Sequence, residues 1–435
     1  AGMRKAEHAL LAAKAAAEAF PAHVPDDAPA RLEEAWRLTL FNQFHDVYGG
    51  TSLPEACADS RDQLGAARSS AESVLYDTLF RRAADLPACR FQRVVAFNPS
   101  DVPFEGWIRW EPWFDWKDFD GWIADAEGRH VPHQRVPAGS IIRNAFSLLW
   151  PARVPPGGLA EFTLRSGIPP LPAAPAGNLT AADGSIGNIH WTVAAGTDGS
   201  LLRFAGALLE AVRLDVREDP SDTWSHGIDR YGAPVAGCFR PTLSTIEETG
   251  PLRATVRVAA AFGTSTLELS ARLCAGDPRL ELELLVDWRE RLRVAKLVLS
   301  FGERVKRRTD GIQDLGLGRP QDGREYPVID WTVAHVGRER TVGVACPDCS
   351  AVSGEGREVS FTLLRSPAFA WHDPAVLERS RTHRCTDQGE HRFRFTLRAG
   401  AGRGRAATIA ERCAADALAF HRPPACFDWT KGMLP

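Results

Sequence analysis

The sequence predicts an α+β multidomain protein: an N-terminal antiparallel three-helix bundle followed by antiparallel β-sandwich domains. Two observations carry this. Apolar residues recur at helical spacing up to Leu86-Pro87, in three runs parted by proline and glycine breakers. From Arg93 onward, short alternating or β-branched runs recur between Gly, Pro, Asn and Asp clusters, without helical patterns between them. At 435 residues the chain has room for more than one hydrophobic core.

The first helix is expected over residues 3–20, where Ala6, Leu10, Ala13, Ala17 and Phe20 fall on one side. Pro21 to Pro25 breaks it. Asp26, Asp27 and Pro29 then suit the first turn of a second helix, since acids complement its dipole and proline lacks only a donor that would go unused. That helix is expected to run to about Asp46. Leu32, Ala35, Trp36, Thr39, Leu40 and Gln43 form one stripe, and Leu38, Phe41 and Phe44 form another, so both sides should be covered. Gly49-Gly50 ends it, and Ser52-Leu-Pro-Glu55 reads as a capping box that starts a third helix.

The strand-like runs begin with Val94-Val-Ala-Phe97, Leu148-Leu-Trp150 and Leu252 to Val258. They continue with Leu280 to Val286, Lys296 to Leu299, Thr341 to Ala345 and Arg392 to Leu397. Pro151–Gly158 and the proline-rich stretch 169–177 are the best boundaries. They divide the chain into a bundle over 1–87, a small β-domain over 88–167 and a large β-sandwich region over 178–435.

Composition narrows the class. Hydrophobic residues make up 44% and charged residues 25%, as in ordinary globular proteins. A formal charge of −3 with scattered basic residues argues against a nucleic-acid partner. No apolar run approaches the roughly 20 residues of a membrane span, and no signal-peptide pattern opens the chain. The nine cysteines show no framework spacing, which points to reduced thiols and a cytoplasmic location. Cys346 and Cys349 could be half of a zinc knuckle, but no second pair completes it, so a structural turn is the better reading.

Few residues stand out for chemistry. No His-Glu-x-x-His, phosphate-binding loop, Gly-x-Ser-x-Gly or EF-hand loop occurs. Gly400, Gly402 and Gly404 read as a surface turn. His372-Asp373 reads as a turn cap without a visible partner. His226 lies in the loop Asp222-Thr-Trp224-Ser-His-Gly227, where Trp224 could stack on a sugar or plug a core. His45-Asp46, where the second helix gives way to Gly49-Gly50, holds an imidazole beside a carboxylate at an opening turn. Read from the residues alone it is a helix-terminal histidine favoured by the dipole. One histidine cannot by itself hold zinc, which needs three or four protein ligands.

The order of motifs adds to this. The stretch Glu33 to Asp46 with Gly50-Thr-Ser52 resembles the middle-domain signature of class II α-mannosidases, glycoside hydrolase family 38. Val94 to Pro99, Asp222-Thr-Trp224, Leu285 to Glu290, Gly318-Arg-Pro320, Thr362 to Pro367 and Asp387 to His391 resemble later parts of that family, in order. The resemblance implies a retaining α-mannosidase with one zinc ion, in which His45 matches the fourth metal ligand and Asp46 lines the sugar site. The other three ligands, the nucleophile among them, and the acid would come from an N-terminal barrel domain that this sequence lacks. The expected function is therefore the C-terminal portion of such an enzyme, inactive alone, with no catalytic residue of its own and with the barrel and mannosides as partners. Self-association as a homo-oligomer is plausible by the same resemblance. Two alternatives are a non-catalytic carbohydrate-binding or assembly module, and part of an enzyme cleaving mannosylglycerate-type substrates. Without its barrel the chain should leave His45 and Asp46 open to solvent, with apolar residues exposed beside them.

Overall fold

The computed structural model describes residues 2–112, 119–139, 145–169, 177–206, 208–231, 235–313, 315–378, 380–401 and 405–430. Most of the proline-rich boundary at 169–177 and two of the three glycines at 400–404 lie outside them. The described residues form an N-terminal helical region followed by mostly antiparallel sheets. The chain divides into two compact units, one of residues 1–44, 58–176 and 418–435, the other of residues 45–57 and 177–417.

In the first unit, helix α1 (Gly2–Ala19) buries Ala6, Leu10, Ala13 and Ala16, and α2 (Ala28–Phe41) buries Ala28, Ala35 and Thr39. The long helix α4 (Pro54–Ala83) adds Leu64, Ala67, Ala71, Val74, Leu75 and Leu79 to the same core. These positions recur every three or four residues, the spacing that puts side chains on one helical face. In sequence, the one-turn helix α3 (His45–Tyr48) follows α2 and precedes α4, and its residues belong to the second unit.

The strand Gln92–Phe97 is buried along its whole length because both faces are used. Val95 and Phe97 join the helical core, while Val94 and Ala96 face a second core with Ile108, Leu148, Trp150 and Phe162. Successive side chains point to opposite sides of a strand, so an unbroken apolar run is what a doubly covered strand requires. It pairs with Leu159–Ser166 on one side and with the late strand Ala425–Asp428 on the other.

The second unit is built on a ten-stranded and a nine-stranded sheet that share one core. The strand Arg279–Trp288 shows how sequence places it: Leu280, Leu282, Leu284, Val286 and Trp288 are buried, with charged residues between most of them. The run Arg293–Phe301 is nearly all buried and sits between two neighbours in the ten-stranded sheet.

Four expectations need correction. Helix α2 ends at Phe41, short of Asp46. Asn42 is buried; its backbone N–H donates to the Leu38 carbonyl at 3.3 Å, and its side-chain amide donates to that carbonyl and to Gln63 Oε1, both at 2.8 Å, which ties the last turn to α4. His45 therefore opens α3 and does not close α2. Both apolar stripes are uncovered at their ends: Leu40 of the first is exposed, and of the second Phe41, at 73%, and Phe44, which lies past the end of α2, are exposed.

The third correction is a fifth helix, α5 (Arg405–His421), in a region expected to be all strand. Ile409, Cys413 and Ala417, four residues apart, pack with Val333 and Ala345. Gly343 and Gly400 make room for it. A Cβ on Gly400 would meet Ile409 Cδ1 at 2.2 Å, and one on Gly343 would meet Ile409 Cγ2 at 2.3 Å. Gly400 thus lies in the strand Gly389–Ala401, not in a surface turn.

Candidate functional site

Residues 40–53 expose Leu40, Phe41, Phe44, Tyr48 and Leu53, a concentration of large apolar side chains in one short stretch of chain. His45 and Asp46 stand in its middle. The His45 side chain is 71% exposed and its Nε2 lies 3.6 Å from Asp46 Oδ2. Asp46 is half-buried and held from two directions. The Thr51 hydroxyl donates to Asp46 Oδ1 at 3.2 Å, and the Thr51 backbone N–H donates to the Asp46 carbonyl at 2.9 Å. The turn between them is closed by Gly49 N–H on the His45 carbonyl, and Gly50 takes φ +70°, a conformation that glycine adopts without strain. The segment 45–57 belongs to the second unit, where Glu55 also meets Arg384 at 3.3 Å.

His45 fits a zinc ligand in its chemistry, since an accessible imidazole beside a carboxylate can take a metal once other donors are supplied. Among the described residues, no cluster of three metal-binding side chains includes it.

The cluster that does form lies elsewhere in the second unit. Asp222, His226 and His372 each place a ligand atom within 4.8 Å of the others. His226 follows Asp222 by one turn's spacing, and its Nδ1 lies 2.6 Å from Asp222 Oδ2. His372 comes from a distant loop, and its ring centroid lies 5.0 Å from that of His226. His372-Asp373 does have partners, contrary to expectation: the Asp373 backbone N–H donates to Asp222 Oδ2 at 2.9 Å. Burial alone would push the Asp222 carboxyl up. The Asp373 N–H, the His226 ring and the His226 backbone N–H outweigh it and hold the group well below the usual carboxylate range. Trp224 is 47% exposed and meets the His372 ring edge-on, so it is not a core plug. The sequence signal for this site was the Asp222/His226 spacing. Its third member was hidden by distance along the chain.

Cys346 and Cys349 are both buried, and Cys349 N–H donates to the Cys346 carbonyl at 3.1 Å. Burial pushes the Cys346 thiol well up, away from the thiolate that a metal needs. The nine cysteines form no disulfide among the described residues. No helix among the described residues is long and apolar enough to cross a membrane.

Two family models match the chain in order. Residues 1–81 match the alpha mannosidase middle domain, and residues 216–373 match the glycosyl hydrolases family 38 C-terminal domain. The first match contains His45 and Asp46, and the second contains Asp222, His226 and His372. The chain belongs to glycosyl hydrolase family 38, carrying its middle and C-terminal domains. The fold is shared with a family 38 protein from Enterococcus faecalis, at TM-score 0.72 and 15% identity, covering 98% of this chain and 58% of that one. It is shared equally with an α-mannosidase from Enterococcus faecalis V583, at TM-score 0.72 and 15% identity, covering 98% of this chain and 56% of that one. The chain thus spans somewhat over half the length of these two structures. No curated protein gives a match.

Proposed function

We propose that this chain forms the non-barrel part of a zinc-dependent retaining α-mannosidase, inactive by itself, in which His45 completes a metal site and Asp46 contacts the substrate. The observation that carries the reading is the exposure of His45 beside Asp46 on a segment of the second unit that also leaves Tyr48 and Leu53 uncovered. Exposed apolar side chains in number mark a surface made to be covered. The cover proposed is a barrel domain bringing the remaining metal ligands and the two carboxylates of a retaining glycosidase, about 5 to 5.5 Å apart.

The bound zinc would polarise sugar hydroxyls and stabilise charge that develops on them. The roles of this chain's own residues follow from their placement. His45 would offer a ring nitrogen from α3, and the adjacent carboxylate would favour the orientation that presents it. Asp46 would accept hydrogen bonds from sugar hydroxyls, its direction limited by Thr51. The covered apolar stretch would exclude water from that side of the sugar and strengthen those hydrogen bonds.

The test is a polypeptide that joins this chain to a family 38 barrel domain. It should bind one zinc and release mannose from terminal α-mannosides, while the 435-residue chain alone does neither at this position. His45→Ala in the longer form should remove zinc and activity together. Normal zinc content and turnover after His45→Ala would sink the assignment.

A further inference from the structure

Two loops of the second unit meet at the Asp222 cluster. One follows the strand Leu209–Glu218 and the other follows Glu358–Arg365. They are joined by Thr223, whose backbone N–H and hydroxyl both donate to the Trp371 carbonyl, at 3.2 and 2.5 Å. They are joined again by the Asp373 N–H on Asp222 Oδ2. Arg365 underlies the first loop, donating to Asp219 Oδ2 at 2.7 Å, Ser221 Oγ at 2.7 Å and the Thr223 carbonyl at 3.0 Å. The Asp222 carboxylate is therefore buried and fixed in place before any ligand arrives.

We propose that Asp222, His226 and His372 bind one divalent transition-metal ion, of the zinc class, that clamps these two loops together. A turn at Asp222 needs only the His226 backbone N–H, which donates to Asp222 Oδ1 at 2.9 Å. It does not need a second imidazole delivered from the other loop, nor a ring nitrogen aimed at the other carboxylate oxygen. Two imidazoles and one carboxylate are donors that suit zinc, cobalt and nickel, and exclude calcium and magnesium, which want oxygen cages.

The spacing is close to what an ion demands. Zinc sits about 2.0–2.1 Å from nitrogen or oxygen ligands, so two of its ligand atoms stand at most about 4 Å apart. The present spread of up to 4.8 Å closes with rotation of the exposed histidine side chains, while Asp222 stays in place. His372 is steadied by its Nδ1 at 2.5 Å from the Asp373 carbonyl, an outer contact of the kind that aims metal-bound histidines. Water would complete the fourth position on the solvent side. If His226 ligates through Nδ1, the proton it shares with Asp222 leaves for solvent as the metal enters.

The experiment is a titration of the metal-stripped 435-residue chain with zinc chloride, paired with thermal unfolding in the presence and absence of zinc. One equivalent should bind and raise the unfolding temperature. His226→Ala and His372→Ala should each weaken binding at least tenfold and abolish the thermal shift, with circular dichroism unchanged because both side chains are exposed. Cobalt in place of zinc should give the visible bands of a tetrahedral nitrogen and oxygen site, lost in both variants; this reads the ligands and not the fold. His45→Ala should keep the full equivalent, which separates this site from the one proposed above. No binding by the unaltered chain, or binding undisturbed in both histidine variants, would overturn the inference. So would binding that is lost with His45 or with Cys346 and Cys349.

Discussion

Arg308 Nε lies 2.8 Å from Asp310 Oδ1, and both side chains are at 0% exposure within the nine-stranded sheet. Asp310 also accepts the Thr332 hydroxyl, and Arg308 reaches the Val352 carbonyl at 3.4 Å. A buried pair adds little net stability over an apolar pair of the same shape, but removing one partner strands the other charge in a medium that cannot solvate it. Asp310→Ala is expected to destabilise the protein by about 3 to 5 kcal/mol. Replacing both residues with leucine and methionine should cost less than the single change. Urea unfolding of the three proteins checks this, with the double variant less stable than Asp310→Ala as the refuting result.

The seat of α5 gives a packing prediction. Gly343→Val would drive a side chain into Ile409 and Cys413, whose nearest atoms stand 2.3 and 2.6 Å from the new Cβ. The loss should be about 1 to 3 kcal/mol, the usual range for overfilling a packed core. Adding Ile409→Ala to Gly343→Val should recover part of that loss. A pair that is simply additive in thermal unfolding would mean that α5 does not rest on Gly343.

Acid sensitivity follows from the carboxylates. Burial pushes Glu248, Asp277 and Glu283 up, but the arginines beside them, Arg253, Arg279 and Arg272, outweigh it and leave all three depressed. Asp222 is depressed too, against its burial, by N–H donors. A carboxyl depressed in the folded state stabilises fully above its unfolded pKa of about 4, and that stability is lost as pH falls toward the folded value. Urea midpoints should therefore be flat near neutrality and fall on acidification below about pH 5. Asp222→Asn should lower the midpoint at neutral pH and shrink the acid-induced drop. An unchanged acid slope in that variant would show that Asp222 does not contribute.

Thr51 offers a finer probe of the Asp46 position. Thr51→Val removes the hydroxyl that donates to the carboxylate and keeps the residue's shape. In a polypeptide that carries a barrel domain, kcat/KM on α-mannosides is expected to fall about tenfold, equivalent to ~1.4 kcal/mol. Zinc content should stay normal. Loss of zinc in Thr51→Val would assign Thr51 to holding α3 itself.

Strands were legible in the sequence where burial is one-sided, because alternation such as Leu280, Leu282, Leu284 and Val286 has no other physical reading. The end of α2 was not, since Leu40, Phe41 and Phe44 continue the apolar period past the point where Asn42 takes the Leu38 carbonyl. Periodicity reports which residues avoid water and is blind to a buried polar side chain that caps the last carbonyls, as the Asn42 amide does on Leu38. Helix α5 was overlooked although Ile409, Cys413 and Ala417 keep helical spacing, because glycines and arginines before it read as turn. Of the candidate site, His45 and Asp46 could be picked out because they adjoin in sequence. His372 could not be joined to Asp222 and His226, since only the folded loops bring them together.

The pairing of Gln92–Phe97 with Ala425–Asp428 sets an order of events during synthesis. Val95 and Phe97 leave the ribosome well before the neighbour that completes their sheet. Most of the second unit lies between those two strands, so it can collapse while the first still holds an open strand edge. The first unit is thus begun before most of the second and completed after it, and its open edge is the one that a folding helper would have to guard longest.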